Sequence, residues 1–588
     1  MGKIQEKKKV EKGRKNIMQK IRGNIERKKE QGITLIALVV TIIIILILAG
    51  ITINMILGEN GIIRTAQDAK NTWENAIIKE QENLNSLINE LNEELIDRSR
   101  DIYVFLYDDG TLTFSNTSEP VEGKNVLKAY GDIKGQEYTS EVGEDGSSIT
   151  VNTPWAADVG TITRVEILDE IKPTSTACWF ANCNQLTEIT GIENFNTSNV
   201  TDMKYMFAYC SSLTNLDLKS FNTNDVTDMA CMFYYCQNLE SLDVSKFVTN
   251  NVSDMRGMFG QCKSLTSLDV TNFNTSKVID MNSMFLYCTK LTNLDISNFR
   301  TNSVTNMSAM FDFCESLTNL DVSNFNTSKV TKMAYMFAYM TATTEIKGVE
   351  NFDTSNVTDM ACMFYQCHNL KSLDVSKFKT NDVTNMRGIF DFCRTLTTID
   401  VSNFDTSKVT DMAYMFAYMY EVTEIKGLEN FDTSSATTME CMFTACQKLL
   451  DLNISNFKTS NVTNMRAMFD DCQVLTTLDL SSFNTSKVTN MAYMFAYMYE
   501  VTEIKGLENF DTSNVTTMEV MFYACQSLSS LDISSFNTSN VTNMRGMFYG
   551  SSNLTTIYVG NGWTTQNVTN SEDMFYNCGT SDVTLKTT

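Results

Sequence analysis

One phenylalanine sets the frame of this chain. It returns at Phe195, Phe221, Phe247, Phe273, Phe299 and Phe325, each time after 26 residues. Steps of 27 then fall at Phe352, Phe431 and Phe510, so the later part repeats in a larger unit of 79 residues. A second phenylalanine, usually preceded by Met, recurs from Phe180 to Phe575 and counts sixteen coils. Few folds carry such a period. Each unit is one supersecondary turn that buries its apolar face only by stacking on its neighbours, so residues 173–588 read as a solenoid.

The coil can be read residue by residue. Met203, Met206, Phe207 and Cys210 stand at i, i+3, i+4 and i+7, the apolar stripe of a short helix, with Thr201 or Asp202 as its N-cap. Leu213 follows, and Leu216-Asp217-Leu218 alternates inward and outward as a short strand. Phe221 packs the turn, and Asn222-Thr223 offers side-chain bonds to the local backbone. The expected class is an α/β repeat of about sixteen coils, each a short parallel strand plus a short helix.

The first hundred residues have a different texture. Residues 1–32 carry twelve Lys or Arg against four Glu, a +8 leader on a chain of net charge −23, so the remainder nets −31. Ile33 to Leu57 follows with 25 uncharged residues. As a helix rising about 1.5 Å per residue it can cross a hydrocarbon core of roughly 30 Å. The basic flank keeps the N-terminus cytoplasmic and sends the bulk of the chain outside. Apolar spacings of three and four over residues 58–98 predict an amphipathic helical stalk. Within 101–172, Ile102–Tyr107 and Thr111–Phe114 read as a hairpin turning at Asp108-Asp109-Gly110, part of a small β-rich cap over the N-terminal end of the solenoid.

Composition narrows the chemistry. A surface this acidic repels phosphate backbones and excludes nucleic acid as a partner. His368 is the single histidine, and no nucleophile–base set or phosphate loop stands at usable spacing, so the expectation is a binding protein, not an enzyme, with no cofactor and no metal site. Of sixteen cysteines, twelve fill one column three residues after the Met-Phe phenylalanine, where Met340, Met419 and Met498 also occur. A column that accepts Met calls for a buried apolar filler, so these read as free thiols before disulfides or zinc.

The junction Gln31-Gly32-Ile33-Thr34-Leu35-Ile36 resembles a type IV prepilin signal. That resemblance implies cleavage between Gly32 and Ile33 by a prepilin peptidase, with the apolar helix staying in the membrane. The family usually has Glu at the fifth mature position. Ala37 stands there, which speaks against assembly as a major filament subunit. An uncleaved signal-anchor helix is the plain alternative. The unit Met232-Phe233-x-x-Cys236-x-x-Leu239-x-x-Leu242-Asp243, with the lead-in Pro173–Phe180, resembles the BspA-like leucine-rich-repeat surface proteins over residues 101–588. This implies a curved parallel-β solenoid on a bacterial surface, with strands on the concave side, and roles in adhesion and host contact.

Between the two inward apolar residues of each strand sits an outward Asp: Asp217, Asp243, Asp269, Asp295 and Asp321, then Asp374, Asp400, Asp479 and Asp532. Aligned carboxylates repel. Either each bonds a nearby Ser hydroxyl or turn amide, or together they form an acidic strip for cations or a basic partner. Lys347, Lys426 and Lys505 interrupt the column once in every 79 residues, whereas the run Asp217–Asp321 has no such Lys. That run is the candidate binding face for an extracellular protein ligand. The alternative role is structural, a minor pilin-like or envelope component with the solenoid as spacer.

Overall fold

A computed structural model of the protein describes Lys79, residues 101–142 and residues 149–586. The chain divides into two compact units, Met1–Asp97 and Arg98–Thr588. The leader, the Gly32–Ile33 junction, the Ile33–Leu57 span and, but for Lys79, the stalk lie outside the described residues. Among the described residues, no helix is long and apolar enough to cross a membrane.

The cap follows the expected hairpin. β1 (Tyr103–Tyr107) and β2 (Thr111–Ser115) pair antiparallel, and β3 (Val126–Asp132) adds to the free edge of β1. β4 (Ser140–Val142) and β5 (Ile149–Val151) make a separate ribbon. β2 then pairs parallel with β6 (Arg164–Ile167), and β6 with β7 (Glu188–Thr190), the strand of the first coil. The cap therefore hands its sheet to the solenoid, protecting that sheet edge. Aromatic packing seals the junction. Phe114 stacks on Trp179 at 5.0 Å and meets Trp155 edge-on at 5.6 Å, and the Trp155 indole N–H donates to the Trp179 carbonyl at 2.8 Å.

The coils form the expected solenoid, but the expected helix in each coil is absent. The N–H groups of Tyr205, Phe207 and Tyr209 donate to the carbonyls of Ala230, Met232 and Tyr234 in the next coil, at 2.9, 2.9 and 2.7 Å. Those of Met206, Ala208 and Cys210 reach back three residues, to Met203, Tyr205 and Phe207. An α-helix would spend every donor within its own coil. Alternation leaves half of them to stitch coil to coil, and two consecutive tight turns present the same i, i+3, i+4, i+7 stripe to the core.

Those turns need left-handed backbone. Tyr205 has φ 54° and Tyr209 φ 61°. Twenty-eight non-glycine residues with positive φ, together with Gly257, Gly388, Gly546 and Gly550, fill the positions two before and two after the Met-Phe phenylalanine in every coil. Such a conformation costs an L-residue ~1–2 kcal/mol. The inter-coil bonds and the buried stripe it permits offset that cost.

Three ladders tie the stack. Bridges link Asp202 through successive coils to Asn570. A buried threonine hydroxyl at the Phe turn bonds the neighbouring coil twice: Thr197 Oγ1 accepts the Asn222 N–H at 2.7 Å and donates to its carbonyl at 2.9 Å, and Thr223 and Thr249 repeat this. The cysteine column donates its thiols to carbonyls one coil back, as Cys236 to Phe207 at 3.1 Å and Cys262 to Phe233 at 3.3 Å. Ser551 keeps that bond, to Phe522 at 2.7 Å. Burial pushes the thiols up, Cys236 to about 12, so the column is inert.

Ring separations vary from column to column: equivalent rings lie 6.3 and 6.4 Å apart for Phe431–Phe457 and Phe457–Phe483 at the opening turn, and 4.0 and 3.7 Å apart for Tyr287–Phe313 and Phe313–Tyr339 across the coil.

Candidate functional site

Inward Leu216, Leu242, Leu268 and Leu294 alternate with outward residues along each short strand, which fixes where the Asp column points. Asp217, Asp243, Asp269, Asp295 and Asp321 are all exposed. Four of them, Asp217 to Asp295, line one trough of about 710 Å³ together with Asn215, Ser241, Ser267 and Asn293. Asp321 lies one coil beyond and does not line it.

Each carboxylate is half committed. The turn N–H two residues on donates to Oδ1: Lys219 to Asp217, Ser245 to Asp243, Thr271 to Asp269 and Ser297 to Asp295, at 3.0–3.1 Å. The hydroxyls of Ser245 and Thr271 add bonds of 2.6 Å to the same oxygens. These bonds hold Asp243, Asp269 and Asp295 below the usual carboxylate range, so these three stay ionised. The second oxygen of Asp217 lies 3.8 Å from the Lys219 ammonium. The local bonding and the acidic strip therefore coexist.

Strand pairing along this face is intermittent. Where a strand pair includes an Asp of the column, its partner is never another Asp: Asp321 faces Lys347, Asp400 faces Lys426, Asp479 faces Lys505 and Asp532 faces Tyr558. The pair Asn215–Leu216 with Ser241–Leu242 stops one residue short of Asp217 and Asp243. At Asp269 and Asp295 the ladder lapses altogether. Like charges directly opposite destabilise a pair. Closer approach at the Lys coils also needs glycine. Gly348 and Gly427 have φ 94°, and a Cβ on either would lie 2.3 Å from the Cα of Ser323 or Ser402.

The remaining candidates resolve as follows. All sixteen cysteines are free, and fifteen are buried. Cys231 sits in the left-handed position two before Phe233 and Cys362 in the same position before Phe364. His368 is half-buried against Phe392, its rings 6.2 Å apart, and burial lowers its pKa. Among the described residues, no group of three or more His, Cys, Asp or Glu could hold a metal ion. Gly32 and Ile33 lie outside the described residues. Three further carboxyls, Asp312, Asp391 and Asp470, carry no sequence signal beyond their 79-residue spacing.

Solved structures similar to this chain include two bacterial leucine-rich repeat proteins. One, from Bacteroides ovatus, is 14% identical over 83% of this chain and 98% of that one, with a TM-score of 0.31. The other, from Eubacterium ventriosum, is 15% identical over 77% and 93%, with a TM-score of 0.26. The functional domain of InlJ from Listeria monocytogenes is 15% identical over 68% and 73%, with a TM-score of 0.16. No curated protein matches the chain. A family model matches five overlapping stretches, 174–268, 254–345, 338–424, 418–503 and 496–587, which together take in the coils. By that match the chain belongs to the DUF285 family, described as Mycoplasma protein of unknown function.

Proposed function

We propose that this chain is a surface-held binding protein whose solenoid presents the Asp217–Asp295 trough to a basic extracellular protein, without catalysing a reaction. The trough carries this reading: four carboxylates on consecutive coils, each with one oxygen fixed by a turn amide, line an open volume of about 710 Å³. Fixing one oxygen pre-orients the other, which lowers the ordering cost of binding. A protein suits the strip better than calcium does. Calcium takes about 6–8 oxygens, whereas the strip supplies one carboxylate per coil. Attachment through Ile33–Leu57, and cleavage at Gly32–Ile33, belong to the same proposal and rest on the sequence alone. Mass spectrometry of the chain from cells carrying a prepilin peptidase tests the second: a mature N-terminus at Ile33 supports it, and an intact Met1 leaves a signal anchor.

The test of the trough is the combined change Asp243→Asn, Asp269→Asn and Asp295→Asn in the full chain. Retention of basic proteins should fall while the melting temperature holds. Unchanged retention with a lowered melting temperature would make the column structural.

A further inference from the structure

Behind the aromatic side of the coils lie three carboxyls at one position of the 79-residue unit. Asp312, Asp391 and Asp470 each follow the Met-Phe phenylalanine directly. Asp312 is 8% exposed and Asp391 6%; Asp470 is half-buried. In all three, Oδ1 is buried and has no hydrogen-bond partner. A buried carboxylate left unpaired is costly, and neutralising it by protonation is the ordinary escape.

The neighbours do not supply the missing charge. Asp312 faces Tyr287, Tyr335 and Tyr339, with the thiols of Cys314, Cys362 and Cys367. Asp391 faces Cys362, Cys393, Tyr418 and Arg387, but that guanidinium lies 3.6 Å from Asp411 and 4.8 Å over the Tyr414 ring. Asp470 faces Asp471, Cys472, Tyr418, Tyr497, Tyr499 and Arg466, and Arg466 lies 3.8 Å from Glu440 and 5.1 Å over Tyr493. Each available cation thus has another partner.

We propose that Asp312, Asp391 and Asp470 are carboxylic acids in the folded chain, a proton-loaded column that makes the later coils hold together best when protonated. Burial pushes them up to about 7, 8 and 7 respectively. A folded value above the unfolded one means that the folded chain binds more protons. The stabilisation is complete below the ordinary carboxyl range and is lost as pH rises through about 7 to 8. Alkali would therefore loosen the chain at three evenly spaced coils.

Two measurements on the full chain test this. The infrared band of protonated carboxylic acid should persist at neutral pH and disappear with a midpoint near 7 to 8. Replacing all three by Asn should remove the part of that band with this midpoint and abolish the fall in melting temperature between the ordinary carboxyl range and about pH 8. Asp228 and Asp254, also raised by burial, remain in the variant and serve as its internal control. A band lost entirely in the ordinary carboxyl range, or a melting profile unchanged by the substitutions, would overturn the proposal. If the triple variant fails to fold, the band of the unsubstituted chain decides alone.

Discussion

The coils around Asp243 and those around Lys426 are built from the same columns, yet only in the second does a strand pair run through the charged column. Around Asp243, Asp269 and Asp295 each carboxylate would face another, and the ladder stops short or lapses. Around Lys426 an opposite charge faces Asp400, and the Val401 N–H donates to the Lys426 carbonyl at 2.9 Å. The Met-Phe turns and the threonine bonds continue through both regions. Strand pairing on this face is therefore optional for the fold. Charge on one column does not alone decide whether it forms: Asp400 pairs with Lys426, but Lys347 and Asp374 stand on neighbouring coils without pairing to each other, and so do Lys505 and Asp532.

If the core holds both regions alike, Phe259→Ala and Phe416→Ala should each cost ~3–5 kcal/mol in chemical denaturation. Both rings are fully buried and stack on equivalent rings at 5.6–5.8 Å. A much smaller loss at Phe259 would mean that the unpaired region is also loosely packed. Gly427→Ala comes next, at ~1–3 kcal/mol for a strained backbone, with added loss from its contact with Ser402. It should disrupt the Asp400–Lys426 pairing while leaving the Asp243 region unaffected, as read by amide exchange.

Charge alone is tested by Lys426→Asp and its converse, Asp269→Lys. The first should expose the Val401 amide to exchange. The second should slow exchange at neighbouring strand amides, each by ~0.2–1 kcal/mol. If only Gly427→Ala has an effect, close approach and not charge sets the pattern. The smallest effect is expected from acid. Turn bonds lower the folded values of Asp243, Asp269 and Asp295 below their unfolded ones. Their contribution is present above the ordinary carboxyl range and is lost as pH falls through the folded values. A small drop in melting temperature on acidification should disappear when all three are Asn.

Much of this is legible in the sequence. The intervals of Phe fixed the coil count. The Asp108-Asp109-Gly110 turn announced the cap hairpin, and Met340 in the cysteine column announced a filler. The helix was misread because two successive left-handed turns space their apolar residues as one helical stretch does. Glycine would have signalled those turns, but Tyr, Cys and Ala occupy most of the positions. The second function of Thr223, bonding the next coil, was invisible because a local bond to its own turn fits the sequence equally well. Asp312 stayed hidden because Asp beside an apolar column looks like a surface residue until the stack closes over it.

The most direct test compares the two regions as binding faces. Binding of oligolysine to the full chain would be measured against salt, beside two variants: Asp243→Asn, Asp269→Asn and Asp295→Asn together, and Asp374→Asn, Asp400→Asn and Asp479→Asn together. Surface charge attraction is screened over about 10 Å at moderate salt, so a concentrated strip should show the steeper dependence. The expected result is a marked loss of affinity and a flattened salt dependence in the first variant, with little change in the second. Equal losses in both, or none in the first, would contradict the trough as the binding face.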